Sequence, residues 1–194
     1  DFSKDLMTAN KQQYNAANFI EINTPNLLPF QDNMFDLVFS TFVLEHSTNP
    51  SLLLKECTRI LKPSGKLIIL CPDFLNRGKL TSQRAGFSEG TSFHKLKQGK
   101  YLDACITLWD NRIKIPFYCF FSKIQAKKNP RFLINLNPVL FEDSFIPDVD
   151  AVYATYKDEI VCELSTQFSL EQNSPEINEY EKQHHLIFLS FTLK

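Results

Sequence analysis

Few side chains in this sequence combine a reactive type with a useful placement. Glu45 and His46 are adjacent and stand just ahead of a helix start. An imidazole titrates near neutral pH, so His46 is a candidate general base; the competing reading is that it packs or hydrogen-bonds at the helix entry. Ser40 and Thr41 close an apolar run, where hydroxyls either cap the next helix or face a ligand in the crevice beyond a strand end. Asp148 and Asp150 sit two apart before an apolar run. Without a further clustered ligand they read as a solvated strand entry, and no metal is expected. His184 and His185 are adjacent, so on a strand their rings point to opposite faces and make no zinc pair. No Ser-His-Asp set can be assembled. Cys57, Cys71, Cys105, Cys119 and Cys162 are widely spaced with no C-x-x-C, which fits buried, reduced thiols in a cytoplasmic protein.

These residues need a scaffold, and the composition supplies one. The chain has 194 residues, 43% hydrophobic and 22% charged, which suits one globular domain with a sizeable insertion. The formal net charge of −1 gives no global attraction to nucleic acid or to a membrane. No apolar run approaches a membrane span, and no signal peptide opens the chain. Residue 1 is Asp rather than Met, so a processed chain or a fragment is expected. The five glycines, Gly65, Gly78, Gly86, Gly90 and Gly99, nowhere form the G-x-G that a dinucleotide-type phosphate turn needs.

The periodicity predicts a helix over 3–15 with Ser3 as its cap, then a short strand at 19–22 ended by Thr24-Pro25-Asn26. Residues 35–40 are almost continuously apolar, as in a parallel strand buried on both faces. Asn49-Pro50 starts a helix whose stripe is Leu53, Leu54, Cys57, Ile60 and Leu61; Pro63-Ser64-Gly65 stops it, and 66–71 is a second buried strand. This strand–helix–strand unit is long enough for a right-handed parallel crossover. Residues 74–145 differ: they are basic and aromatic, with a helix around 93–110, and read as an insertion or substrate lid. Beyond them come a strand at 150–155, a helix at 157–168, a polar loop at 169–183 and a last strand at 185–193. The domain limits are therefore 1–73, 74–145 and 146–194, with 146–194 completing the domain begun by 1–73. The alternation argues an α/β fold.

The run Leu28-Pro29-Phe30-x-Asp32-x-x-Phe35-Asp36-Leu37-Val38-Phe39-Ser40 leads through Leu44-Glu45-His46 to Arg59-Ile60-Leu61-Lys62-Pro63-x-Gly65-x-Leu67-Ile68-Ile69. It resembles the middle of the class I, Rossmann-like S-adenosylmethionine-dependent methyltransferases, in their type 11-like branch. Ser64 replaces the first glycine of the family's Pro-Gly-Gly turn. The start, Asp1-Phe2-Ser3, resembles the segment after the family's second strand. The resemblance implies S-adenosyl-L-methionine as cofactor, with Asp1 on the ribose hydroxyls and Phe2 beside it. It puts Asn23 and Thr24 near the adenine, where the family's usual carboxylate is missing, and Ser40 and Thr41 beside the methionine part. His46 would take a proton only if the acceptor must lose one, because alignment alone drives much of an in-line methyl transfer.

In that family the strand order is three, two, one, four, five, seven, six. Strands one and two would precede Asp1, so the chain reads as N-terminally truncated, with a mostly parallel sheet whose last strand is antiparallel. The implied activity is methyl transfer to a small-molecule or glycan-like acceptor. The main rival is a non-catalytic interaction module that keeps the fold, and the absent Gly-rich turn favours it. A nicotinamide-dependent oxidoreductase is disfavoured by the Arg-x-Leu-Lys-Pro helix end and the late antiparallel strand.

Overall fold

The structure is a computed structural model describing residues 4–14, 17–22, 27–77, 91–130, 132, 134 and 151–194. Helix α1 (Lys4–Gln13) is followed by strand β1 (Phe35–Thr41), helix α2 (Pro50–Ile60) and strand β2 (Leu61–Pro72), and β1 pairs with β2 in parallel. α2 starts where the sequence predicts. The Asn49 side chain accepts the Leu52 amide at 3.1 Å, and Pro50 fills a first-turn position that needs no donor. Its Leu54 and Cys57 join Leu67, Ile69 and Cys71, alternate residues of β2, in the main core. α2 ends at Ile60, before the predicted stop at Pro63-Ser64-Gly65, which lies in β2 where its register with β1 shifts; there a Cβ on Gly65 would lie 2.8 Å from the Lys62 carbonyl oxygen and 3.3 Å from that of Asp36. Glycine is what lets β2 approach β1 there.

Beyond β2 come α3 (Phe74–Arg77), α4 (Ser92–Lys97), α5 (Tyr101–Trp109), a π-helical turn (Asp110–Lys114), α6 (Ile115–Ala126) and α7 (Lys157–Leu164). Strand β3 (Phe168–Leu170), helix α8 (Pro175–His184) and strand β4 (Leu186–Leu193) complete the order. The sheet runs β1-β2-β4-β3, with β4 antiparallel to both neighbours. Ile187, Leu189 and Phe191 of β4 meet Ile160 and Leu164 of α7 in the same core. The fold is α/β, with the antiparallel last strand that the sequence predicts.

Several expectations need correction. Residues 19–22 form no strand, so within the described residues β1 is the sheet's edge. Accordingly β1 is not buried on both faces: Leu37 is 52% and Phe39 59% exposed. The described part of the strand predicted at 150–155 does not join the sheet. The amides of Val152 and Tyr153 both donate to the Glu45 carbonyl at 2.9 Å, and Tyr153 makes only an isolated antiparallel bridge with Ile134. The place beside β4 goes to Phe168–Leu170, because α7 stops at Leu164. The polar stretch predicted as a loop contains α8, started by Ser174 as cap and Pro175 in the first turn. That helix buries no residue, so it has no apolar stripe to betray it. The helix around 93–110 is two helices, α4 and α5, parted by Gly99 at φ 76°.

Candidate functional site

Parallel pairing brings the C-terminal ends of β1 and β2 to one end of the sheet, with Thr41 opposite Leu70. Open α/β sheets bind ligands at that end. The Phe42 amide donates to the Leu70 carbonyl at 2.8 Å, and Phe42 then turns the chain away at φ 52°. A bulky residue in the left-handed region costs about 1 kcal/mol or more and is held there only by its surroundings. The turn delivers a short 3-10 segment, Leu44–His46. Glu45 within it is fully buried, and its carbonyl carries the two amides from 152 and 153. His46 keeps 34% of its side chain exposed, with Nε2 4.0 Å from Glu45 Oε1.

Thr41 Oγ1 is buried and has no hydrogen-bond partner among the described residues. An unsatisfied buried hydroxyl costs about 1–3 kcal/mol, which a ligand atom can recover. A hydroxyl both donates and accepts, so this one fits either the carboxylate or the amine of an amino-acid moiety, such as the methionine part of the family's cofactor. Ser40 lies beside it on the same strand end.

On the β2 side, burial pushes the Cys71 thiol well above its ordinary range, and the nearby Glu45 carboxylate adds to this. Burial likewise pushes Cys57 up to about 12, with Glu56 adding. Neither thiol is a nucleophile at neutral pH. Burial also raises the Asp73 carboxyl, opposed by hydrogen bonds from the Asn76 side chain and amide. The segment 151–155 lies across this strand end: the Thr155 hydroxyl donates to the Pro72 carbonyl, and the Leu75 amide donates to Thr155 O at 3.0 Å. A cleft of about 630 Å³ opens beside it, bounded by Asp73, Lys157, Asn178, Glu181 and Leu186. Lys157 and Glu181 pair across it at 3.1 Å. Cys119 of α6 packs on Leu75, with Tyr156 alongside, so α6 rests near the same end of the sheet.

Of the residues singled out in the sequence, Ser40, Thr41 and His46 come together on this rim. Asp1, Phe2, Asn23, Thr24, Asp148 and Asp150 lie outside the described residues. His184 ends α8 and stacks on Tyr180 at 4.2 Å between ring centroids, and His185 is that helix's left-handed cap, so neither lies on a strand. Among the described residues no cluster of three or more His, Cys, Asp or Glu could hold a metal. Sequence reasoning missed the burial of Glu45, the strained Phe42 and the shielded Asp73. Asp73 follows a strand-closing proline and was findable on that ground; Phe42 had no signal, since nothing local demands a positive φ there.

Residues 1–69 match the family model described as a methyltransferase domain. Demethylmenaquinone methyltransferase from Bacillus cereus strain B4264 is 39% identical over 74 residues, covering 36% of this chain and 31% of that protein. The same figures hold for the homologue of Bacillus anthracis strain A0248. The chain thus spans less than a third of the curated relatives it matches. In structure it is similar to a Listeria monocytogenes protein assigned to the S-adenosylmethionine-dependent methyltransferases, at TM-score 0.57 and 13% identity, covering 100% of this chain and 78% of that one. An S-adenosylmethionine-dependent methyltransferase from Mesorhizobium loti gives TM-score 0.51 at 10% identity, over 99% of this chain and 77% of that one. At such identities these two likenesses speak for the fold, and the sequence match speaks for the family, whose cofactor is S-adenosyl-L-methionine. The stretch 1–69, with β1, α2 and most of β2, matches the methyltransferase-domain family, and the fold is that of the Rossmann-like S-adenosylmethionine-dependent methyltransferases.

Proposed function

We propose that the polypeptide carrying this chain transfers the methyl group of S-adenosyl-L-methionine to a small-molecule or glycan-like acceptor. The observation that carries the reading is the buried Thr41 hydroxyl, without a hydrogen-bond partner among the described residues, at the crevice end of β1, inside the stretch that matches the family. The relatives named as demethylmenaquinone methyltransferases support a small-molecule acceptor.

The bound cofactor would supply an electrophilic methyl on a sulfonium centre. Ser40 and Thr41 would hold its methionine part, Asp1 its ribose hydroxyls, and Phe2, Asn23 and Thr24 the adenine side. His46, with Nε2 4.0 Å from Glu45 Oε1, would take a proton only where the acceptor must lose one. Residues 74–145 would cover the acceptor and exclude water.

The test is calorimetry with S-adenosylhomocysteine on the longest natural polypeptide that contains these residues. Thr41→Val should weaken binding about 3- to 10-fold, the loss of one hydrogen bond, with the melting temperature kept or raised. Unchanged affinity removes Thr41 from the site. Absence of any binding favours the second reading, a non-catalytic interaction module, which the lack of a G-x-G turn among the five glycines supports.

A further inference from the structure

The helices of the insertion are turned inside out. The residues that α5 and α6 bury are small or polar: Asp103, Ala104 and Thr107 on α5, and Cys119, Ser122 and Ala126 on α6. The large apolar residues face solvent instead. Leu102 is 76% exposed, Trp109 59%, Ile113 50%, Phe117 58%, Phe120 61% and Ile124 58%. Folding alone selects the opposite arrangement, so the many large apolar side chains exposed on two neighbouring helices mark a contact with something else. On α6 three of the rings form one cluster: Phe121 lies 4.5 Å from Phe117 and 5.6 Å from Phe120 between ring centroids.

Charge identifies what covers it. Residues 92–130 contain eight lysines and arginines against two aspartates, in a chain whose net charge is −1. The near-neutral total, which gave no global attraction to a membrane, conceals a strongly basic region on an otherwise acidic molecule. One aspartate is used internally, by the buried Lys95 at 3.3 Å, and the other pairs with Lys114 at 3.6 Å. Lys97, Lys100, Arg112 and Lys128 are exposed on the same segment, and Lys127, also exposed, pairs with Asp158 at 3.6 Å. Lys97 lies over the ring of Phe93, itself 66% exposed, at 4.8 Å. A second copy of the chain fits this surface badly, because face-to-face packing would oppose two basic patches. Exposed aromatic and aliphatic side chains interspersed with long cationic ones match the headgroup–acyl boundary of an anionic bilayer, where the rings enter and the cations reach the phosphates.

We propose that α4, α5 and α6 form an interfacial docking surface for an anionic lipid bilayer. No helix among the described residues is long and apolar enough to cross a membrane, so docking is peripheral. The inference does not depend on methyl transfer: lipid binding and cofactor binding are read separately.

Trp109 is the chain's single tryptophan and sits in the patch, so it reports directly. The full chain is titrated with phosphatidylcholine vesicles, with and without about one third phosphatidylglycerol. With the anionic vesicles, Trp109 emission should shift to the blue and be quenched by brominated acyl chains. Affinity should fall about tenfold or more on neutral vesicles, and by a similar factor for Lys97→Glu/Lys100→Glu, which leaves the aromatics intact. Phe117→Ser/Phe120→Ser should also weaken binding about tenfold, with circular dichroism and melting temperature checking that this variant is folded. No spectral shift with anionic vesicles overturns the proposal, as does equal binding to neutral ones. Lipid-free dimerisation that buries Trp109 and is abolished by the phenylalanine pair assigns the surface to a second copy instead.

Discussion

The carbonyl oxygen of Glu45 accepts the Tyr153 amide at 2.9 Å, tying the turn after β1 to a segment that follows the whole insertion. Tyr153 is itself fully buried, and its hydroxyl donates to Glu159 at 3.0 Å. The rim bearing Thr41 and His46 is therefore held from behind by residues remote in sequence, and its geometry depends on their packing.

Tyr153→Phe keeps the ring in the core and removes the hydrogen bond to Glu159. Stability should fall by about 1–2 kcal/mol, since a buried carboxylate loses a donor. Urea unfolding measures this directly; an unmoved midpoint would show that the hydroxyl contributes nothing net.

Gly65→Ala introduces a Cβ against the backbone carbonyls of Lys62 and Asp36. Backbone cannot swing aside as a side chain can, so about 1–3 kcal/mol should be lost. Thermal melts of the two proteins decide it, and a stabilised alanine variant would contradict the close approach of β1 and β2.

Acid stability should depend on Glu171. Hydrogen bonds from Lys66, then Ser190 and Thr192, hold its carboxyl at about 2 instead of the ordinary 4.5. A carboxyl whose pKa is depressed on folding contributes stability that is complete above its unfolded value and is lost as pH falls through the folded one. The stability difference between the natural protein and Glu171→Gln should therefore shrink between about pH 4.5 and 2 and stay constant above. A difference that does not change over that window would mean the network is too exposed to matter.

If His46 is a base, His46→Asn should lower turnover by about 10²-fold or more while leaving S-adenosylhomocysteine affinity unchanged. Equal turnover in the two proteins would leave His46 with a packing role only.

The α/β class, the parallel unit β1–α2–β2 and the caps of α2 were legible in the sequence because each is local. Asn49-Pro50 starts its helix with its own side chain and ring, and the helical and strand periods of Leu54, Cys57, Leu67 and Ile69 name the buried faces without reference to distant residues. What failed were the elements whose state depends on partners. Residues 19–22 carry strand-like residues but join no strand among the described residues, and 151–155 give two amides to Glu45, one to the Tyr153 carbonyl, and make a single isolated bridge. A strand exists only where a neighbour supplies its hydrogen bonds. The hydroxyls of Ser40 and Thr41 could be placed at a strand end from sequence. Only tertiary packing decided that Thr41 Oγ1 is buried with no partner among the described residues, that Phe42 bears a positive φ, and that α5 and α6 turn their aromatic faces outward. Burial and strain are properties of what surrounds a residue, and no local pattern encodes them.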